Sequence, residues 1–192
     1  CSQSWPPYDG GSFALWQAVM PHVYKEGTLK PFLLPTNGTF ELPNDRSRTV
    51  EYHSDGNDQT VLRMTGLINF SRIKDEDYRF GHVYPKADLL ELVRARTLGW
   101  PPMLRYPLKL VSKMGWPHYE RILWPQTGKA EKVLEEIGQH RLLDALGILN
   151  FAAPAGSYLA GAFHSCKGNH ATDIGLLKQL SAKKVAALRS AA

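Results

Sequence analysis

Two residues in one stretch are placed to do chemistry together. In Gln139-His140-Arg141-Leu142-Leu143-Asp144-Ala145-Leu146-Gly147, His140 and Asp144 stand four positions apart. On a helix that spacing stacks both side chains on one face, a turn from each other. A neutral imidazole and a carboxylate so arranged can reach one small cation, and both donor types suit zinc. The same spacing also describes an ordinary helical surface pair, and two donors do not complete a zinc site. The remaining chemistry has to come from elsewhere in the chain.

The element that must position the pair is a long helical pattern over residues 129–149, with Leu142, Leu143 and Leu146 on its buried side. Upstream, residues 1–11 are rich in Pro, Gly and Ser. Ser12 then caps a helix over Phe13-Ala14-Leu15-Trp16-Gln17-Ala18-Val19-Met20, which Pro21 and Gly27 end. Residues 30–35 read as a short strand closed by the turn Thr36-Asn37-Gly38, so a domain boundary is expected near 27–35. Residues 48–54 alternate as a half-buried strand. With the turn Asp55-Gly56-Asn57-Asp58 and residues 59–70 they predict an antiparallel hairpin.

Further on, Leu89, Leu92, Val93 and Arg96 give residues 87–98 a helical period that Gly99 ends. Residues 100–118, with four prolines and with Trp100, Tyr106 and Trp116, suit an irregular wall. A short strand is expected at 119–124, a small and flexible stretch at 152–161, and another strand at 162–167. Gly168-Asn169 then form the turn that presents His170. A last helix over 173–188 is expected to bury Ile174, Leu177 and Leu180. Hairpins and interspersed helices without a βαβ rhythm argue an α+β fold.

The bulk composition bounds the function. With 43% hydrophobic and 21% charged residues among 192, the chain can build a sizeable core. A net charge of +5 favours an anionic partner such as a phosphate, a nucleotide or an acidic membrane surface. The basic residues do not cluster and the aromatics sit in apolar company, which argues against nucleic acid. Two cysteines, Cys1 and Cys166, make no disulfide framework. No run reaches the roughly 20 apolar residues of a membrane span. A cytoplasmic protein with at most peripheral membrane contact is the expectation. Because the sequence begins at Cys1, it is read as part of something longer.

Four motifs, in order, carry a resemblance. They are Asp9-Gly10-Gly11-Ser12, Ala95-Arg96-Thr97-Leu98-Gly99-Trp100, His140-Arg141-Leu142-Leu143-Asp144-Ala145-Leu146-Gly147, and Gly161-Ala162-Phe163-His164-Ser165-Cys166-Lys167-Gly168-Asn169-His170-Ala171. Together they resemble the zinc-dependent UDP-3-O-acyl-N-acetylglucosamine deacetylases of lipid A biosynthesis. Those proteins pair two α+β domains, each a sheet layered with helices, around one active site.

The resemblance makes residues 1–31 the C-terminal helix remnant of the first domain and 32–192 the whole second domain, a two-layer sheet-and-helix unit. It implies a Zn2+ held by His140 and Asp144 together with a histidine of the first domain. A neighbouring glutamate there is the general base. It implies that His170, as a cation, stabilises the oxyanion and helps the amine leave, while Thr97 offers that oxyanion a hydroxyl. Arg141 and Lys167 are implied to meet the sugar or diphosphate of the acylated UDP-sugar. Leu98, Gly99 and Trp100 border the passage for its acyl chain.

Departures accompany the match. Ile148 replaces the family's aspartate, whose carboxylate orients the general-acid histidine, and Asn150 is a candidate substitute. Arg141 replaces a lysine, Leu98 a phenylalanine, and Gly168-Asn169 inverts a Ser-Gly pair. The expectation is a divergent working enzyme whose second domain alone binds zinc weakly or not at all and does not deacetylate. The alternative is a non-catalytic deacetylase-like domain that binds a nucleotide sugar or a protein partner.

Overall fold

The computed structural model describes residues 29–54, 59–70, 74–85, 89–95, 130–154 and 156–190. Among the described residues six strands and three α-helices follow in chain order: β1 (Lys30–Leu33), β2 (Gly38–Leu42), β3 (Asp45–His53), β4 (Leu62–Phe70), β5 (Lys74–Tyr84), α1 (Leu89–Arg94), α2 (Ala130–Leu149), β6 (Ser157–Cys166) and α3 (His170–Ser190). The fold is α+β. The strands form one sheet in the order β2-β3-β6-β4-β5, and β1 adds to β6.

Alternation explains why the sheet is covered on one face. Along β4, Leu62, Met64 and Ile68 are buried while Arg63, Thr65 and Asn69 point to solvent, the period-two pattern of a strand with one dry side. Val50 and Tyr52 of β3 and Phe163 of β6 join the same core. Burying each such side chain contributes on the order of 1.5–3 kcal/mol. α2 packs over β4 and β5, and α3 over β2 and β3. The two helices also pack against each other.

The expected hairpin between residues 48–54 and 59–70 does not form. β3 and β4 do run in opposite directions, but β6 lies between them, antiparallel to β3 and parallel to β4. The hairpins of the sheet are β2/β3 and β4/β5. The turn at 55–58 lies outside the described residues.

Residues 157–161, expected to be flexible, are instead strand. Residues 157–160 pair in parallel with β1, from Lys30↔Ser157 to Leu33↔Ala160. The boundary drawn between residues 31 and 32 falls inside β1. The last helix begins at His170, three residues earlier than its apolar pattern suggests. It buries Leu176 and Leu180, whereas Ile174 is exposed. Its phase is set by Thr172 and Asp173, both fully buried, and Leu176 and Leu180 follow them at helical spacing. The helix Ser12–Met20 pattern and the strand expected at 119–124 lie outside the described residues.

Candidate functional site

The inner side of α2 is apolar: Val133, Leu134, Ile137, Leu142, Ala145, Leu146 and Leu149 are buried. Their spacing turns His140 and Asp144 to the opposite, half-exposed side. His140 Nδ1 lies 3.3 Å from the carbonyl oxygen of Ala95. A carbonyl can only accept, so the proton of a neutral ring sits on Nδ1 and the lone pair on Nε2. That is the arrangement by which a second contact orients a ligating imidazole. His140 Nε2 is 3.6 Å from Asp144 Oδ2. The gap exceeds a hydrogen bond. It is near the roughly 3.3 Å edge of a tetrahedron with metal–ligand bonds of about 2.0–2.1 Å.

His170 arrives from α3. Asn169 caps that helix: Thr172 N–H donates to Asn169 Oδ1 at 3.1 Å, and Asn169 N–H donates to Thr172 Oγ1 at 2.8 Å. This reciprocal pair is a capping box built with threonine at the third position. His170 is therefore the first residue of a capped helix rather than the tip of a turn. Its Nε2 also lies 3.6 Å from Asp144 Oδ2. One carboxylate oxygen thus faces two imidazoles, carried by two helices 30 positions apart in sequence.

Three of the four sequence motifs meet here. Ala95 opens the second motif, His140 and Asp144 belong to the third, and His170 belongs to the fourth. Thr97, Leu98, Gly99 and Trp100 lie outside the described residues, as does Asp9-Gly10-Gly11-Ser12. Lys167 takes a left-handed backbone, φ 49°, at the end of β6, and its Nζ is 3.7 Å from Asp77 Oδ1 on β5. Asn150 is turned elsewhere, since its Oδ1 accepts the Leu159 N–H at 3.0 Å.

Arg141 is not at the surface. It is only 8% exposed. Its guanidinium forks onto Asp173, Nη1 to Oδ2 at 2.6 Å and Nη2 to Oδ1 at 2.5 Å. It also donates from Nε to Gly168 O at 3.1 Å and from Nη2 to Ser165 Oγ at 3.2 Å. Asp173 has no exposure at all. Burial pushes its carboxyl above the usual carboxylate range, and the adjacent guanidinium pulls it back. Expected to meet substrate, Arg141 instead ties α2 to β6 and to the first turn of α3.

Sequence reasoning missed Asp173 altogether. The available signal was the Asn169–Thr172 cap, which would have placed Asp173 in a first helical turn facing inward.

His140 and Asp144 fit zinc in donor type, in tautomer and in separation. Among the described residues, no group of three or more His, Cys, Asp or Glu side chains is arranged to hold a metal ion. No helix among the described residues is long and apolar enough to cross a membrane. No protein-family model matches the chain, and no curated protein matches it closely enough to place it in a family.

Proposed function

We propose that this chain is the second domain, with the end of the first, of a cytoplasmic zinc-dependent amide hydrolase. Its reaction is removal of the N-acetyl group from UDP-3-O-acyl-N-acetylglucosamine in lipid A biosynthesis. The observation that carries the reading is the meeting of three separate motifs around the His140–Asp144 pair, Ala95 against His140 and His170 against Asp144. An accidental surface pair on α2 would not call for the other two motifs to arrive at the same place.

His140 Nε2 and Asp144 Oδ2 are the second domain's donors to Zn2+. The third ligand and the general base belong to the first domain. When bound, zinc supplies a nucleophile at neutral pH and polarises the amide carbonyl. His170, 62% exposed, is placed to give a proton to the departing amine nitrogen. Thr97 offers its hydroxyl to the oxyanion. Lys167 faces the diphosphate or sugar, and Leu98, Gly99 and Trp100 border the acyl chain.

The test uses the full-length protein. His140→Ala and Asp144→Ala should each lower turnover of the acylated UDP-sugar by on the order of 10³-fold and lower bound zinc with it. Either variant keeping full turnover and full zinc rejects the ligand assignment. A specific observation favours the second reading, a non-catalytic domain that binds the nucleotide sugar: Ile148 stands where the resemblance expects a carboxylate. In that case calorimetry would find sugar-nucleotide binding with no product formed.

A further inference from the structure

The buried Arg141–Asp173 pair has no part in the chemistry so far assigned, yet it touches both sides of the site. Arg141 follows His140 on α2, and Asp173 lies three residues after His170 on α3. The guanidinium spends its donors on Asp173, on Gly168 O and on Ser165 Oγ, so one side chain joins α2, β6, the connecting loop and α3.

The surroundings are shaped around it. A Cβ at Gly168 would come within 2.8 Å of Arg141 Nη2 and 2.6 Å of Ser165 Oγ. The preceding Lys167 holds a left-handed φ of 49° while its N–H donates to Leu67 O at 2.8 Å. A non-glycine residue persists there only where its neighbours fix it.

Stability alone is a poor account of such a pair. A buried ion pair contributes little more than well-packed apolar side chains of the same volume. What a bidentate fork does supply is a fixed angle and distance between the bodies it joins. Here those bodies carry His140 and Asp144 on one side and His170 on the other.

We propose that Arg141 and Asp173 are positioning residues that hold His170 against Asp144. The pair takes over the orienting task that Ile148 cannot perform. This inference rests on the deacetylase reading for the role of His170.

The decisive measurement is a double-mutant cycle in the full-length protein, comparing Asp173→Asn with and without His170→Ala. With His170 present, Asp173→Asn should lower kcat about 10–100-fold, with KM within about 3-fold and zinc content unchanged. With His170→Ala it should lower kcat less than about 2-fold further, because residues acting through one another do not add. A full additional loss in the His170→Ala protein overturns the proposal.

If Asp173→Asn does not fold, Arg141→Lys keeps the charge but loses the fork. It should show the same pattern at about 3–10-fold. Amide hydrogen exchange tests the clamp without turnover: Arg141→Lys should speed exchange at residues 173–176 by about 10-fold or more and leave β4 unchanged. Unchanged exchange at residues 173–176 refutes the clamp. A wild-type protein with zinc but no turnover refutes the deacetylase reading instead.

Discussion

Two charge clusters sit on neighbouring positions of α2 and could hardly be more different. Arg141 points inward and donates four hydrogen bonds, two to Asp173 and one each to Gly168 and Ser165. His140 and Asp144 point outward with His170, and the gaps to the shared carboxylate oxygen are 3.6 Å. The inner cluster is closed because a buried ion without partners would cost several kcal/mol. The outer cluster is half in water, where no such penalty enforces closure. Burial thus demands pairing of the inner charges, while partial exposure places no such demand on the outer ones. One helix provides both, with Arg141 as the anchor for the surface that its neighbours present.

The contrast predicts opposite outcomes for stability and activity. Arg141→Ala leaves the Asp173 carboxylate buried without its partner and should cost about 3–5 kcal/mol in unfolding free energy. His140→Ala, on the half-exposed side, should cost about 0.5 kcal/mol or less while turnover collapses. Denaturant unfolding of the two full-length variants checks both. Equal losses of stability would erase the distinction between an anchor and a reactive face.

A neutral buried group gives a milder version of the interior rule. Tyr52 has no exposure, and its hydroxyl donates to Ala160 O at 2.6 Å. Burial pushes its pKa up to about 12. The unfolded chain loses that proton near pH 10 and the folded protein only near 12. Between the two the folded state binds more protons, so stability falls as pH rises. The slope from this one group is at most about 1.4 kcal/mol per pH unit. Tyr52→Phe should be less stable than wild type at pH 8 by about 1 kcal/mol, for the lost hydrogen bond. It should overtake wild type by pH 12. Parallel stability curves for the two proteins would show that Tyr52 ionises as it does in water.

How much of this was legible in the sequence follows from the range of each interaction. α2, its buried leucines and the outward pair were readable because a helix is set by neighbours three and four residues away. The place of β6 was not. Its pairing with β3 and β4 spans about a hundred residues, and the turn-forming sequence Asp55-Gly56-Asn57-Asp58 argues locally for the hairpin that β6 displaces. Residues 152–161 read as flexible because alanine, glycine and serine dominate them. At Gly161, φ 119°, the missing side chain instead reflects crowding: an added Cβ would lie 2.6 Å from His53 O. The inward turn of Arg141 was hidden for a different reason. A charged residue next to outward-facing ones reads as solvated until its partner, 32 residues on, is known. The one-face placement of His140 and Asp144 was visible in the spacing, whereas the link from His140 to Ala95 depends on a contact across 45 residues.

The smallest effect distinguishes the two faces of α2 with a single kind of substitution. Gly138 lies on the inner side, where an added Cβ would meet Phe80 Cγ at 2.9 Å. Gly147 lies on the outer stripe with His140 and Asp144, and an added Cβ meets nothing within 4 Å. Alanine improves helix propensity at both positions by about 1 kcal/mol. Against that, overpacking at Gly138 costs about 1–3 kcal/mol, so Gly138→Ala should come out net destabilising by about 1 kcal/mol. Gly147→Ala has no such opposing term and should stabilise by about 0.5–1 kcal/mol. If the proposed deacetylase reading holds and a substrate or a second domain covers the outer stripe, the same methyl should also lower kcat/KM in the full-length protein. A Gly147→Ala protein that gains stability with turnover untouched would put the working surface away from this stripe, leaving His140 and Asp144 as an ordinary helical pair.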